Sequence, residues 1–168
     1  KEMIGMSAKD INKIRGREVG VIFQDPMSSL NPTMKIGKQI AETVRVHQHT
    51  SKTEAMQKAI SLLKRTKSPE AEKRAHQYPF EFSGGMLQRA IIAMSMACDP
   101  FLLVADEPTT ALDVTIQAQT LEVMHELQKN HSMSIILITH DLGVIAKMAH
   151  DVAVMYAGQV IEAGPVDD

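Results

Sequence analysis

Apolar positions along this chain fall into two rhythms. Phe101-Leu102-Leu103-Val104-Ala105 is a continuous apolar run, the mark of a strand buried on both faces in a parallel sheet. Ser134-Ile135-Ile136-Leu137-Ile138 reads as a second buried strand, and Glu18-Val19-Gly20-Val21-Ile22-Phe23, rich in β-branched and aromatic residues, as a third. Between these runs the spacing is helical. Ser7 to Arg15 is short and polar, with Ile11 and Ile14 at helical spacing. Ile36, Ile40 and Val44, with His47 at the next turn, line one face of a helix from about Gly37. Ser51 with Glu54 three residues on is a capping box for a second helix, whose Met56, Ile60 and Leu63 share a face and carry the pattern to about Arg65. Ser68-Pro69-Glu70 predicts another start, with proline at the first helical position.

After Gly85 the stripe Met86, Ala90, Met94 and Ala97, widened by Leu87 and Ile91, predicts a helix with Gln88 and Arg89 on its polar side. A long helix from Val114 to about Lys129 turns Ile116, Thr120, Val123 and Leu127 inward. Val152 to Tyr156, Ala157-Gly158 and Gln159 to Glu162 predict an antiparallel hairpin about a glycine turn. The expected architecture is α/β: a mainly parallel sheet with an inserted α-helical subdomain. Residues 1–36 and 98–168 would form the core, and residues 37–97 the helical insert.

Composition narrows the class without naming a chemistry. At 168 residues, with 44% apolar and 23% charged positions, the chain has the makeup of an ordinary globular domain. A net charge of −2 gives no reason to expect nucleic acid or an acidic membrane surface as partner. The single cysteine, Cys98, excludes an intrachain disulfide and fits a packing role near the end of an apolar helix face. His47, His49 and His76 lack paired metal-ligand spacing, and the 12 methionines fall largely at helical core positions.

Chemistry concentrates between Phe82 and Asp113. Ser83 is a good N-cap, and Gly84 and Gly85 leave backbone N–H groups unshielded at a helix start, a place suited to an anion such as phosphate. Asp106 and Glu107 stand at the carboxyl end of an apolar strand, where open α/β sheets place ligands. An aspartate able to hold Mg²⁺ beside a glutamate able to polarise water is equipment for nucleotide hydrolysis. Gln24 closes the first strand just before Asp25-Pro26, where proline forces a loop. Its amide either ligates Mg²⁺ and orients water or is simply solvated. His140 ends the 134–138 strand and either donates to a γ-phosphate or caps the next helix. Asp113 is open to the same pair of readings, N-cap or functional group.

These stretches, Gln24-Asp25-Pro26, Phe82-Ser83-Gly84-Gly85-Met86, Leu103-Val104-Ala105-Asp106-Glu107, Ala111-Leu112-Asp113 and Thr139-His140-Asp141, resemble the Q-loop, signature motif, Walker B motif, D-loop and switch histidine of an ABC-type ATPase. Their wording is most similar to the ATP-binding subunits of oligopeptide/dipeptide importers. The resemblance implies a P-loop NTPase (RecA-like) core, with ATP and Mg²⁺ as cofactors. It implies Glu107 as base for the attacking water, Asp106 as the Mg²⁺ carboxylate, Gln24 at Mg²⁺ and water, and His140 at the γ-phosphate. Ser83, Gly84, Gly85, Met86 and Gln88, with Asp113, would meet the nucleotide held by a second ATP-binding subunit, paired head to tail. Transmembrane permease subunits and, indirectly, an extracellular substrate-binding protein are the other implied partners, at the cytoplasmic face of the membrane.

The match is not complete. Met86 and Leu87 stand where the general pattern often has glutamine and the peptide-importer pattern often has arginine. The phosphate loop G-x-x-x-x-G-K-[ST] does not occur in these residues. The chain starts without methionine and closes at Pro165-Val166-Asp167-Asp168, so both ends read as cut from a longer protein. Alone it is expected to be catalytically inert and prone to self-association. An importer of nickel or another small solute, or a non-catalytic interaction module, is the alternative.

Overall fold

The computed structural model describes residues 4–110, 112–131 and 133–166. Ala111, in the segment read as the D-loop, and the terminal Asp167 and Asp168 lie outside the described residues. Strands β1 (Val19–Ile22), β2 (Leu102–Asp106) and β3 (Ser134–Ile138) form a parallel sheet in the order β1-β2-β3. Helices α1 (Ala8–Ile14), α2 (Ile36–Gln48), α3 (Lys52–Arg65), α4 (Ala71–Ala75) and α5 (Gly84–Ser95) come around and between β1 and β2, with a 3-10 turn at Pro79–Glu81. Helix α6 (Val114–His131) links β2 to β3. Helix α7 (Leu142–Met148) then leads to the antiparallel hairpin β4 (Asp151–Tyr156) and β5 (Gln159–Pro165). The α/β class is as the pattern predicts. No helix among the described residues is long and apolar enough to cross a membrane.

One core runs through these layers. Ile22, Leu103 and Ala105 from the sheet join Ile36, Ile40 and Val44 of α2, Leu62 and Leu63 of α3, Ile91 and Ile92 of α5, and Met124 and Leu127 of α6. The predicted capping box is in place: Ser51 Oγ accepts from Glu54 N–H, and the Glu54 carboxylate accepts from Ser51 N–H at 3.0 Å. In α6, Thr120, Val123 and Leu127 are buried.

Four expectations need correction. The apolar run starts its strand at Leu102, and Phe101 is exposed. Strand β3 is not buried on both faces: Ile136 is 50% and Ile138 49% exposed. The in-register row Val21, Val104 and Ile136 lies on the sheet face opposite Ile22, Leu103 and Ala105, and only the latter face joins the core. Helix α4 begins at Ala71, not Pro69, because Glu70 takes a left-handed conformation (φ 50°) that starts the helix two residues later. Gln88 is not on a polar face. It is 1% exposed, because α5 packs against α2, α3, α6 and β1 at once and so has almost no solvent side.

Candidate functional site at the carboxyl rim of the sheet

Parallel strands that run in register bring their carboxyl ends to one rim, so residues far apart in sequence meet there. Asp106 ends β2 opposite Ile138 of β3, and the Glu107 N–H donates to the Ile138 carbonyl at 2.9 Å. Glu107 has φ 44°, which turns the chain out of the strand direction. The Gln24 amide donates from Nε2 to Glu107 Oε2 at 2.9 Å. His140 Nδ1 faces Glu107 Oε1 at 3.2 Å. Gln24, Glu107 and His140 therefore form one cluster.

Sequence reading missed Thr110, whose hydroxyl donates to Glu107 Oε2 at 2.7 Å. A hydroxyl three residues beyond a carboxylate, across the tight turn at Pro108, was the available signal. The Thr110 hydroxyl, followed by the His140 ring and the Gln24 amide, holds the Glu107 carboxyl below the ordinary glutamate range.

Three of the open alternatives now have local answers. His140 does not cap α7. Asp141 does, its Oδ1 accepting from Gly143 N–H at 2.8 Å and Val144 N–H at 3.3 Å, and the His140 side chain is left 75% exposed beside Glu107. Asp113 is an N-cap: Oδ1 accepts from Thr115 and Ile116 N–H at 3.1 and 3.0 Å. Gln24 is no free loop amide. Its loop is tied down by Asp25, whose carboxylate accepts from Met27 N–H at 2.9 Å and whose carbonyl accepts from the Ser28 and Ser29 hydroxyls.

The signature turn opens α5 and packs beside Leu112 and Ile116. Ser83 caps α5, its hydroxyl accepting from Met86 N–H at 3.4 Å. Ser83 and Gly84 are exposed, whereas Gly85 is buried against α6: a Cβ there would meet Ile116 Cγ2 at 2.5 Å. Met86 is half-buried, and Gln88 is buried with an Nε2 that has no hydrogen-bond partner among the described residues. No hydrogen bond of the Glu107 cluster reaches Ser83, Gly84 or Gly85.

A divalent cation fits the rim on its donor chemistry. Asp106 makes no side-chain hydrogen bond among the described residues, and Gln24 commits its nitrogen to Glu107, leaving its oxygen as a hard ligand. No group of three or more His, Cys, Asp or Glu residues among those described is placed to hold a metal. Asp106 and the Gln24 amide oxygen are donors of the kind Mg²⁺ takes, since it keeps most of its waters and needs only one or two protein oxygens.

Comparison with known proteins supplies the context. The chain is 58% identical over 168 residues to the oligopeptide transport ATP-binding protein OppD of Bacillus subtilis, covering 100% of this chain and 47% of that protein. It is 53% identical to the dipeptide transport ATP-binding protein DppD of Lactococcus lactis subsp. cremoris, again over 100% of this chain and 48% of that protein. The chain thus spans about half the length of the curated relatives it matches. Among solved structures, the dimeric bacterial ABC transporter cassette MJ0796 superposes with a TM-score of 0.85 at 24% identity, over 98% of this chain and 69% of that one. CbiO1 of Clostridium perfringens gives a TM-score of 0.82 at 28% identity, over 96% and 62%. The family profile described as ABC transporter matches residues 2–110, a span that includes the signature turn, β2 and the Glu107 turn, and the chain belongs to that family.

Proposed function

We propose that this chain is the Q-loop-to-switch portion of an ATP-hydrolysing subunit that powers an oligopeptide or dipeptide importer. The observation that carries this is the meeting of Gln24, Glu107 and His140 at one strand rim. Phosphoryl transfer to water asks for a positioned nucleophile and compensated charge more than for covalent chemistry. Glu107, held ionised by Thr110 and its other donors, accepts a proton from the attacking water. Gln24 orients that water, and His140 donates to the γ-phosphoryl oxygens. Asp106, through water, and the Gln24 amide oxygen are the residues of this chain that would hold an Mg²⁺, which when bound would offset phosphate charge.

In this reading residues 1–36 and 98–168 are the catalytic core, and residues 37–97 are the helical part that presents the signature turn. The exposed Ser83 and Gly84, which take no part in the Glu107 hydrogen bonds, support a turn that closes over the ATP of a second subunit, with Gly85, Met86 and Gln88 behind it and Asp113 at the same interface. The MJ0796 cassette, which is dimeric and dimeric again in its post-hydrolysis state with ADP and Pi, supports such a pair. A groove of about 490 Å³ beside the Gln24 loop, lined by Ser29, Asn31, Met34, Gln39, Val46 and Met94, supports contact with a permease at the cytoplasmic membrane face. Its wall is firm, since Gln39 bonds to Asn31 N–H and to the Asn31 and Met34 carbonyls.

The peptide assignment rests on the relatives' names, and a nickel or other small-solute importer is the competing one. The test is uptake by the reconstituted full-length transporter. Labelled di- to pentapeptides should enter in an ATP-dependent way that Glu107→Gln abolishes. Nickel uptake without peptide uptake would overturn the assignment.

A further inference from the structure

We propose that Gln117 is a positioning residue that ties the first turn of α6, the turn capped by Asp113, to the loop that carries His140. This rests on the catalytic reading of His140 and Glu107 and deepens it. Gln117 sits one turn into α6, its own N–H donating to the Asp113 carbonyl at 2.8 Å. Its side-chain Nε2 reaches across 24 residues of sequence to Asp141 Oδ2 at 3.0 Å. The other oxygen of Asp141 takes the first amides of α7, and the Asp141 N–H donates to Thr139 Oγ1 at 3.1 Å. Asp141 is therefore fastened on three sides: to α7, to the end of β3 and, through Gln117, to α6.

His140 is the residue between Thr139 and Asp141. Its exposed ring makes its one hydrogen bond among the described residues to Glu107. The ring's placement is thus inherited from its backbone neighbours, and among those fastenings Gln117 is the side-chain link to another element. The same α6 turn bears Ile116, which sits against Gly85 of the signature turn. A shift of that turn when the signature turn and Asp113 engage a second subunit is passed through Gln117 to the His140–Glu107 contact. The Gln117 amide is also the foremost cause of the lowered Asp141 pKa, which agrees with a well-made bond.

The test uses an exchange of donor and acceptor in the full-length subunit within its assembled transporter. Gln117→Glu sets two carboxylates against each other, since neither ionised group can donate. Adding Asp141→Asn restores a donor–acceptor pair with the roles reversed, while asparagine still caps α7. Gln117→Glu should lower kcat for ATP about tenfold and leave KM within about twofold, and the double variant should recover to within about threefold of the parent. The His140 ring resonances of the nucleotide-free subunit should move in Gln117→Glu and return in the double variant. An unchanged kcat and His140 signal in Gln117→Glu would overturn the proposal, as would a double variant no better than the single one. Retained turnover in Glu107→Gln would instead overturn the catalytic reading, and the ring resonances would still report on Gln117.

Discussion

The Gln24 amide and the Glu107 carboxylate are hydrogen-bonded at 2.9 Å across 83 residues of chain. Thr110 shares the same carboxylate oxygen at 2.7 Å, and His140 faces the other at 3.2 Å. Both oxygens are thereby oriented by side chains of the chain itself. Each contact links a different segment: the end of β1, the turn after β2 and the end of β3. Movement of any of these segments changes the Glu107 carboxylate directly, which gives the Gln24 loop a physical route to it.

Replacing Glu107 by Gln should cut turnover of the full-length protein by at least about 100-fold, the low end of what a general base contributes. The amide keeps the shape and cannot take the proton. ATP affinity should stay within a few-fold, because in the proposed role Glu107 acts on water and not on the resting phosphates. Phosphate release and equilibrium nucleotide binding, measured side by side, decide this. Turnover near the parent rate would remove Glu107 from the role of base.

A pH dependence follows from the donors around Glu107. Its carboxyl is held below the ordinary value of 4.5, with the Thr110 hydroxyl as the foremost cause. A carboxylate depressed in the folded state contributes stability above its unfolded pKa, and that contribution is lost as pH falls through the folded pKa. Thr110→Val removes the foremost donor, so the acid limb of the kcat/KM profile should move to higher pH. Activity at pH 7 should change little through ionisation, since the group is charged there in both proteins. An acid limb that stays in place, or moves lower, would contradict the assignment.

The rim cluster was legible because strand ends are legible. An apolar run bounded by carboxylates or by histidine fixes where β2 and β3 stop, and parallel pairing then brings Asp106, Glu107 and His140 level. Other features depend on neighbours that a local pattern does not contain. The stripe read for α5 assumed one packed face. Contact with α2, α3, α6 and β1 buries Gln88 as well. The exposure of Ile136 and Ile138 reflects which sheet face the helices cover, and an apolar run carries no sign of that. The bond from Gln117 to Asp141 joins an ordinary helix position to a helix cap, and neither residue type marks the other in advance.

Gly85 is explained by its neighbour more than by any ligand. A Cβ at that position would lie 2.5 Å from Ile116 Cγ2, and a methyl on a β-branched side chain cannot swing far aside. Gly85→Ala should therefore destabilise the full-length protein by about 1–3 kcal/mol, the usual cost of overpacking. Adding Ile116→Ala should return part of it by clearing the space. Urea unfolding of the parent and the two variants measures this. A Gly85→Ala protein as stable as the parent would show that α5 and α6 separate freely.

The 168-residue chain studied by itself should self-associate. Val21, Phe23, Ile136 and Ile138 are exposed on or beside the sheet, and β3 has no strand paired to its outer edge among the described residues. Unpaired strand groups beside apolar side chains form a template for a second chain. Two copies joining through this edge and face would bury what each leaves in water, at roughly 25 cal/mol per Å² of apolar surface. Ile136→Lys with Ile138→Lys places charge on that face without touching Ile135 or Leu137, which pack against the core. Sedimentation velocity over a wide concentration range should show dimers or larger species for the parent chain and a shift toward monomer for the double lysine variant. A compact parent monomer that persists at high concentration and unfolds cooperatively would show that the exposed edge and face do not drive association.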